Sequence, residues 1–564
     1  MALNDNSPAD VAHEHEDGAV NAIRGANPFV GLTLGQVVSA GVRWAGAMAR
    51  HPGVVAGETV KWAGDEIRVV AGSSPAKADP KDRRFDDSAW SHPLWRRLAQ
   101  TYLTTRGSVL HTVDELDLDT KSADRAKFAL SQLTEASAPT NSLVTNPAAL
   151  KRAFNTRGRS LVDGSRHFAY DLRHNGGMPS QVDTRPFRVG ETVAVTKGSV
   201  VLRTPMFELL RYAPSTREVC SIPTVVVPPQ INRFYFLDLA PGRSFVEYTV
   251  SRGIPTFMIS WRNATSDQRD WKLDDYATAC IEALECAAAL SDSASVNVAG
   301  FCAGGMTECA VLAHLAATGS NLVNAGTLAV TMIDTEVTST LNMFASERSV
   351  KAAITSSERK GVLSGRSLSR VFAWVRPNDL VWNYWVNNYL LGENPPAFDV
   401  LAWNNDVTNL PAALHAEFMS IWIDNSLIEP GAVQVLETPV DLKQVTCDLY
   451  VVGARTDHLV PWQSAYAATR AFGGDVRFVL SNSGHIQALI NPPSNPKASY
   501  SYGTEQPPDP AAWLAAASSF KGSWWEDWAT WTLVRSGPMR PKKRGLGNRR
   551  FPVIDSAPGR YVHG

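Results

Sequence analysis

The stretch Ser295-Val-Asn-Val-Ala-Gly-Phe-Cys302-Ala-Gly-Gly-Met306 decides the fold of this chain. Val296 and Val298 alternate with polar neighbours, as residues of a strand do, and residues 306–317 have the apolar spacing of a helix that packs on a sheet. The pattern predicts a strand, a tight turn at Cys302 and a helix. Because the flanking glycines carry no Cβ atom, they allow the helix to close onto the strand.

Cys302 is the candidate nucleophile of such a turn. It would lie at the carboxyl edge of the sheet, where the positive end of the following helix favours a thiolate. The backbone N–H of Ala303 would be one donor of an oxyanion hole. A buried core cysteine is the alternative, since free cysteines are often buried and the short motif also occurs by chance. The strand before Cys302 and the helix after it favour the catalytic interpretation.

Two further residues follow later strands. Asp457 lies in a loop after the apolar run that begins at Cys447, and His485 follows the run Val476 to Leu480. Nucleophile, acid and histidine thus appear in the chain order of α/β-hydrolases. His485 would act as the base for Cys302, and Asp457 would orient its imidazole.

Each of these residues has a structural alternative. Taken alone, Asp457 could cap a turn and His485 could be a hydrogen-bonded loop histidine. Their joint placement after two strands favours the catalytic roles. His458 is a rival base next to Asp457 and ranks lower, because it precedes the last strand.

Composition excludes several classes of function. The 564 residues suffice for two folded units, and 44% of them are hydrophobic. Lys and Arg number 54 against 55 Asp and Glu, so no overall positive field is available for nucleic acid. The six cysteines lack paired spacing, which indicates a reducing compartment, and no Cys/His cluster predicts a metal site.

The chain is predicted to contain an N-terminal region and a catalytic domain. Residues 1–80 are expected to form a disordered and amphipathic segment, with disorder up to Gly25 and a helix from Thr33 to Arg50. Neither a signal peptide nor a membrane-spanning segment is predicted. A helical domain over 81–190 follows, in which Ser122 and Asn146 are expected to begin helices.

Residues 191–564 are predicted to form an α/β-hydrolase domain. Helices at 245–251 and 274–290 alternate with short apolar runs, which indicates a largely parallel sheet. Before the acid, the predicted strands are 200–202, 207–212, 224–227, 256–260, 296–298 and 327–333. The alternation then stops for about a hundred residues. We interpret 335–440 as an inserted lid rich in tryptophan and tyrosine.

The chain resembles the polyhydroxyalkanoate synthases over nearly its whole length. The resemblance rests on motifs distributed from the first predicted strands to the C-terminus. They are Pro228-Pro-Gln-Ile-Asn-Arg-Phe-Tyr-Phe-Leu-Asp-Leu239, Ser260-Trp-Arg-Asn263, Gly300-Phe-Cys-Ala-Gly-Gly305, Arg376-Pro-Asn-Asp-Leu-Val-Trp-Asn-Tyr384, Asp457-His-Leu-Val-Pro-Trp462, Ser483-Gly-His-Ile486 and Ala557-Pro-Gly-Arg-Tyr561.

The resemblance implies a cytoplasmic acyltransferase that polymerises (R)-3-hydroxyacyl-CoA and releases CoA at the surface of a polyester granule. It implies Cys302 as nucleophile, Asp457 as acid and His485 as base. The loop that ends at Ile231 is expected to supply the second backbone donor of the oxyanion hole. No cofactor is expected, because the CoA thioester is itself the substrate, and a homodimer is expected.

The sequence leaves the preferred side-chain length open and allows two alternatives to the main hypothesis of a synthase. The motifs around Asn175, Asn387 and Asp441 resemble single-subunit synthases for medium-length side chains, whereas Phe301 resembles the short-chain type. A cysteine hydrolase of the same fold that cleaves esters or thioesters is the second hypothesis. A non-catalytic granule-coat protein, anchored through Thr33 to Arg50 and the aromatic segments, is the third.

Overall fold

The structure is a computed structural model that describes residues 34–80, 82–337, 347–368, 378–457 and 459–564. The segment predicted to be disordered, His458 and part of the predicted lid therefore lie outside the described residues. The chain divides into two compact units. Unit one comprises the described parts of Gly31–Asp183 and Arg370–Phe398, and unit two those of Thr184–Ser369 and Asp399–Gly564.

Unit one is helical. Its α-helices are Leu34–Arg50 (α1), Pro52–Ala71 (α2), Pro93–Glu115 (α3), Thr120–Ala136 (α4), Pro147–Asn155 (α5) and Arg159–His174 (α6). Two π-helical segments follow at Asn378–Trp382 and Trp385–Leu390. Residues 378–398 fall within the predicted lid 335–440, but they belong to the same compact unit as the N-terminal helices. The domain boundaries proposed from the sequence remain predictions.

Helix starts in unit one follow from short polar side chains. Asn146 begins α5 as predicted, because its side-chain oxygen accepts a hydrogen bond from Ala149 N at 3.1 Å. The prediction of Ser122 as a start is wrong. Asp119 caps α4 by accepting from the Ser122 backbone N at 3.0 Å. A carboxylate at this position also interacts favourably with the positive end of the helix.

Unit two is built on an eleven-stranded sheet. Its strands, in spatial order, are Ser518–Lys521 (β15), Ser499–Tyr502 (β14), Val476–Ser481 (β13), Asp448–Ala454 (β12), Val323–Ala329 (β7), Val296–Phe301 (β6), Thr224–Val227 (β4), Thr256–Trp261 (β5), Phe207–Tyr212 (β2), Gly198–Arg203 (β1) and Asp555–Ser556 (β17). The six strands from β13 to β5 run parallel, and the outer ones pair antiparallel. The sheet is therefore parallel at its centre, as the alternating pattern indicates.

Shorter ladders lie outside this sheet. They are formed by Glu218–Cys220 (β3) with Met539–Pro541 (β16), Val362–Leu363 (β8) with Leu410–Pro411 (β9), and Gln434–Val435 (β10) with Thr438–Pro439 (β11). The α-helices of unit two are Phe245–Ser251 (α7), Leu273–Ser291 (α8), Ala303–Ala317 (α9), Glu347–Lys360 (α10), Asp399–Asn405 (α11), Ala412–Asp424 (α12), Trp462–Tyr466 (α13), Ala468–Ala471 (α14), His485–Leu489 (α15), Pro510–Ala516 (α16) and Trp524–Val534 (α17).

One predicted strand is displaced. The sequence predicts a strand over 327–333, but β7 begins at Val323 and ends at Ala329. The chain turns at Val330, which has a φ of 45°, and its N–H donates to the Val452 carbonyl at 2.8 Å. A buried β-branched residue at positive φ is rare, so local sequence pattern gave no indication of this turn.

Two buried helices hold the centre of the sheet. Helix α9 packs directly on β6, and its residues Ala303 to Val311 are almost all buried. The tryptophan-rich helix α17 buries Trp524, Trp525 and Trp528, and the Phe245 ring lies 4.8 Å from the Trp528 ring. The aromatic residues near the C-terminus are therefore part of the core of unit two.

Candidate active site

Cys302 forms the turn between β6 and α9. Its backbone has φ 53° and ψ −122°, a conformation that non-glycine residues rarely adopt. Its N–H donates to the Ala329 carbonyl at the end of β7 at 2.9 Å, and its carbonyl accepts from Gly305 N at 3.0 Å. These bonds hold the strained residue at the carboxyl edge of the central strands, with its side chain partly exposed.

Two glycines allow the close approach that this turn requires. A Cβ atom on Gly304 would collide with the backbone carbonyl of Val227, and one on Gly300 would lie 2.6 Å from the Cα of Gly305. Helix α9 therefore lies directly against β4 and β6. The predicted function of these glycines, to let the helix close onto the strand, agrees with this geometry.

Asp457 and His485 come from loops after two other parallel strands. Asp457 follows β12 by three residues, and His485 begins α15 shortly after β13. Asp457 Oδ2 lies 2.5 Å from His485 Nδ1. Asp457 Oδ1 accepts from the backbone N–H groups of Leu459 and Val460, both at 2.9 Å. The carboxylate is thus fixed on one side by backbone and directs its other oxygen to the imidazole.

The imidazole connects the acid to the sulfur. The Cys302 side chain lies within hydrogen-bonding reach of His485. Because Nδ1 is occupied by Asp457, Nε2 is the ring nitrogen left to face the sulfur. The structure therefore brings together the three residues that the sequence singles out, from three separate loops at one edge of the sheet.

Electrostatics favours a charged imidazole at this position. Burial by itself lowers the pKa of His485, but the Asp457 carboxylate and the Cys302 sulfur act in the opposite direction and raise the pKa to about 10. The side chains of His485 and Asp457 are 4% and 0% exposed. Within such a poorly solvated site, charge pairs interact more strongly than in water. The arrangement can hold a charged imidazole beside the sulfur of Cys302.

The two backbone groups predicted to bind an oxyanion occupy neighbouring segments. Ala303 is buried and is the first residue of α9, so its N–H is among those without an intrahelical partner. Ile231 belongs to the loop after β4. The preceding residue, Gln230, donates from Nε2 to Thr307 Oγ1 of α9 at 2.9 Å. This loop is therefore attached to the helix that follows the nucleophile.

Two features of the site were not anticipated. The carboxyl group of Glu308, on α9, is buried beneath the turn against Gly300 and Gly326. The side-chain link between Gln230 and Thr307 is the second. Glu308 is the single acidic residue of a mostly apolar helix, and this pattern could have identified it as a buried carboxyl group. Nothing in the sequence indicates the Gln230 contact, which depends on tertiary packing.

Within the ranges that the structure describes, no group of three His, Cys, Asp or Glu side chains is arranged to hold a metal ion. Each helix in the described part of the chain is too short or too polar to cross a bilayer.

Two stretches of the chain match known protein families. Residues 81–249 match the family described as "Poly-beta-hydroxybutyrate polymerase (PhaC) N-terminus", and residues 241–492 match "alpha/beta hydrolase fold". The second match, together with the order of the parallel strands, confirms the predicted fold class.

Similarity to known proteins extends over almost the entire chain. It is 44% identical over 541 residues to poly(3-hydroxyalkanoate) polymerase 1 of Ectopseudomonas oleovorans, with 96% of each chain covered. It is 40% identical over 502 residues to the poly(3-hydroxyalkanoate) polymerase subunit PhaC of Cupriavidus necator, covering 88% of this chain and 85% of the other. A solved monoglyceride lipase from Saccharomyces cerevisiae shares 10% identity over 63% of this chain and 99% of its own, with a TM-score of 0.35.

Proposed function

This chain belongs to the poly(3-hydroxyalkanoate) polymerase family and is therefore an acyltransferase, and we propose that it polymerises (R)-3-hydroxyacyl-CoA through a covalent acyl-Cys302 thioester. The observation that carries the proposal is the contact series from Asp457 through His485 to Cys302. A cysteine suits this reaction because exchange of one thioester for another keeps the acyl group activated.

The first step transfers the acyl group from CoA to the enzyme. The proton between Cys302 and His485 is held on Nε2, and the sulfur attacks the thioester carbonyl carbon. The bond from that carbon to the CoA sulfur then breaks, and His485 returns its proton to the leaving CoA thiolate. The N–H groups of Ala303 and Ile231 are proposed to bind the oxyanion of the tetrahedral intermediate.

The second step forms the ester bond. The hydroxyl of a 3-hydroxyacyl unit gives its proton to His485, and its oxygen attacks the acyl carbon on Cys302. The bond to the sulfur breaks, and the proton stays on the imidazole beside the released sulfur. In the acyl-enzyme the thioester sulfur no longer helps to raise the pKa of His485, so a larger fraction of the imidazole is neutral and can accept the hydroxyl proton.

We propose that the reaction takes place at the surface of a polyester granule. Several apolar side chains of unit one are exposed to solvent, including Phe154 at 86%, Val42 at 66% and Tyr170 at 56%. Apolar groups exposed in this way can contact a hydrophobic surface. This exposure supports granule association, and the family resemblance adds a cytoplasmic location and a homodimer to the proposal. Fluorescence microscopy of a tagged chain in polymer-forming cells tests the first two, and sedimentation tests the third.

Analysis of the products tests the reaction. Purified protein is incubated with (R)-3-hydroxybutyryl-CoA and with longer 3-hydroxyacyl-CoA thioesters, and released CoA, free acid and polymer are measured. Polymer with stoichiometric CoA supports the proposal. CoA release with monomeric acid would instead identify the cysteine hydrolase, and absence of turnover with every chain length would favour a non-catalytic coat protein. The same series gives the preferred side-chain length.

Substitution of the nucleophile tests the covalent step. Cys302→Ala is expected to lower CoA release by at least about 1,000-fold, since removal of a nucleophile leaves little of the catalysis. Cys447→Ala is the matched control, because Cys447 is the other partly exposed cysteine. Turnover that survives in Cys302→Ala contradicts the covalent mechanism, and mass spectrometry should detect the acyl adduct on the Cys302 peptide of the wild type.

A further inference from the structure

The C-terminal strap, which we define as Asp555 to Tyr561, closes one edge of the large sheet. Its strand β17 pairs antiparallel with β1, so that Ser556 lies opposite Ser199. Further hydrogen bonds join Ile554 N to the Val200 carbonyl at 2.9 Å and Ala557 N to the Gly198 carbonyl at 3.0 Å. The strap is thus aligned along β1 by backbone hydrogen bonds on both sides of β17.

A fully buried carboxylate anchors the strap beyond β17. Glu208 of β2 is 0% exposed, and its Oε2 accepts from the backbone N–H groups of Arg560 and Tyr561 at 2.8 and 2.9 Å. Its Oε1 accepts from Arg203 Nε at 2.6 Å. Gly559 has a φ of 81°, and a Cβ there would collide with the Glu208 carboxyl group. A buried carboxylate with donors on both oxygens fixes this turn of the chain.

The strap in turn holds an arginine of the loop that follows β4. The Tyr561 carbonyl accepts from Arg233 Nη1 at 2.9 Å, and the Tyr561 hydroxyl donates to the Thr204 carbonyl at 2.6 Å. Arg233 is 6% exposed, and its Nε lies 3.4 Å from Asp406 Oδ1. Its own carbonyl accepts from Trp403 Nε1 at 2.8 Å. The backbone and the side chain of Arg233 are therefore both held in place. Its guanidinium donates two hydrogen bonds, and the one to the strap is the shorter.

Arg233 lies two residues after Ile231, the proposed second oxyanion donor. On the other side of Ile231, Gln230 is held by two contacts: its Nε2 donates to Thr307, and its carbonyl accepts from Thr408 Oγ1 at 3.1 Å. The backbone on either side of Ile231 is therefore held at Gln230 by α9 and Thr408, at Asn232 by an antiparallel bridge with Val407, and at Arg233 by the strap. Without the strap contact, the bridge at Asn232 and the Trp403 contact are the constraints left on the C-terminal side, and we expect the Ile231 N–H to shift.

We propose that Arg233 is a positioning residue through which the C-terminal strap sets the oxyanion loop, defined as Pro228 to Arg233. This inference rests on the proposed function, since it assigns the Ile231 N–H to the oxyanion. Removal of the Arg233 contact to the strap lowers transition-state binding, because an oxyanion donor acts only when it is placed within hydrogen-bonding distance. Substrate binding in the ground state changes little, since the oxyanion does not yet exist.

The test compares two reactions of Cys302 in one set of variants. CoA release passes through an oxyanion, whereas alkylation of Cys302 by iodoacetamide does not. We expect Arg233→Met to lower kcat for CoA release about 10- to 100-fold, with KM within about threefold of wild type. The rate of Cys302 alkylation should stay within about twofold, and Arg233→Lys should restore part of kcat because it retains a donor.

A matched control is available in the strap itself. The Arg560 side chain is 74% exposed and pairs with Asp555, not with Arg233. Arg560→Gln should therefore leave both reactions at the wild-type rate. Deletion of residues 559–564 is a second variant that removes the carbonyl bound by Arg233. It should reproduce the loss of kcat with unchanged alkylation.

Two outcomes would overturn the inference. Wild-type kcat in Arg233→Met shows that the loop is held without the strap, and an equal fall in CoA release and alkylation shows general damage to the site. CoA release is measured whether the acyl group ends in polymer or in free acid. The strap is therefore tested even if the polymerase function fails, and polymer formed by the wild type decides that function separately.

Discussion

Cys302 combines an unfavourable backbone with a favourable chemical position. Positive φ in a non-glycine residue costs on the order of 1–3 kcal/mol, and such strain persists only where neighbouring structure enforces it. Here the Ala329 carbonyl and the Gly305 N–H hold the backbone of Cys302 from both sides. The strain directs the sulfur out of the sheet toward His485. We infer that it is retained because it places the nucleophile.

The charge on His485 makes stability depend on pH. Burial lowers the pKa of this imidazole, but Asp457 and Cys302 raise it more strongly, to about 10. A histidine in the unfolded chain has a pKa of about 6.5. Between these values the folded state binds more protons than the unfolded state. The contribution of His485 is therefore complete below about pH 6.5 and is lost as pH rises toward about 10.

Urea unfolding at pH 6.5 and pH 9.5 measures this effect. The wild type should lose more free energy of unfolding between the two values than His485→Gln, whose side chain does not titrate. The difference between the two proteins removes the contribution of titrating groups that do not interact with His485. Equal losses would show that the Asp457 and Cys302 contacts do not raise the pKa in the folded protein.

At the scale of elements, the sheet and α9 form the support of the turn. The carboxyl group of Glu308 lies where a side chain on Gly300 or Gly326 would collide with it. Burial raises the pKa of Glu308 well above its ordinary value, although the backbone N–H groups of Thr327 and Gly300 act in the opposite direction. The group is therefore expected to be protonated at neutral pH in the folded protein.

Glu308→Gln should stabilise the protein increasingly as pH rises. In the unfolded chain Glu308 ionises above about pH 4.5, so the folded state holds one more proton and wild-type stability falls with rising pH. A neutral amide of similar shape removes this dependence. We expect Glu308→Gln to unfold at a higher urea concentration than the wild type at pH 8, with a smaller difference at pH 5.

Glu285→Gln is the control for this experiment. Glu285 is exposed on the neighbouring helix α8, so its substitution should change stability by less than about 0.5 kcal/mol at either pH. If Glu308→Gln is less stable than the wild type at both pH values, the carboxyl group is accepting hydrogen bonds as a carboxylate. Protonation in the folded state would then be excluded.

On the scale of the whole molecule, the six cysteines differ in environment. Burial raises the pKa of Cys286 and of Cys447 to about 12, and it raises the pKa of Cys220, Cys280 and Cys309 as well. Cys302, by contrast, lies beside the His485 imidazole. Since the thiolate is the reactive form, these environments predict one reactive cysteine in the native chain.

Alkylation with limiting iodoacetamide at pH 7.5 tests this selectivity. Mass spectrometry of the native protein should show a single adduct, on the peptide that contains Cys302, and the protein denatured in guanidinium should accept six. In Cys302→Ala the first native adduct should form at least about tenfold more slowly. Faster modification of Cys447, the other partly exposed cysteine, would contradict the prediction.

Much of this fold follows from local sequence pattern. The strand and helix on either side of Cys302, the helix at 245–251 and the strands near Asp457 and His485 were predicted close to their observed bounds. These segments have clear apolar periodicity and clear ends. The strand predicted over 327–333 failed because its end is set by the turn at Val330, whose bond to Val452 comes from a distant part of the chain.

The order of Cys302, Asp457 and His485 along the chain, and the strand that precedes each, were determined by the sequence alone. The tertiary structure decided that Asp457 directs one oxygen to His485, that Glu308 lies buried beneath the turn, and that a C-terminal strap reaches Arg233. Local periodicity reports how one segment buries its own apolar face. Contacts between residues on different elements depend on how strands are ordered in the sheet and how loops and helices pack on it, and no single segment carries that information.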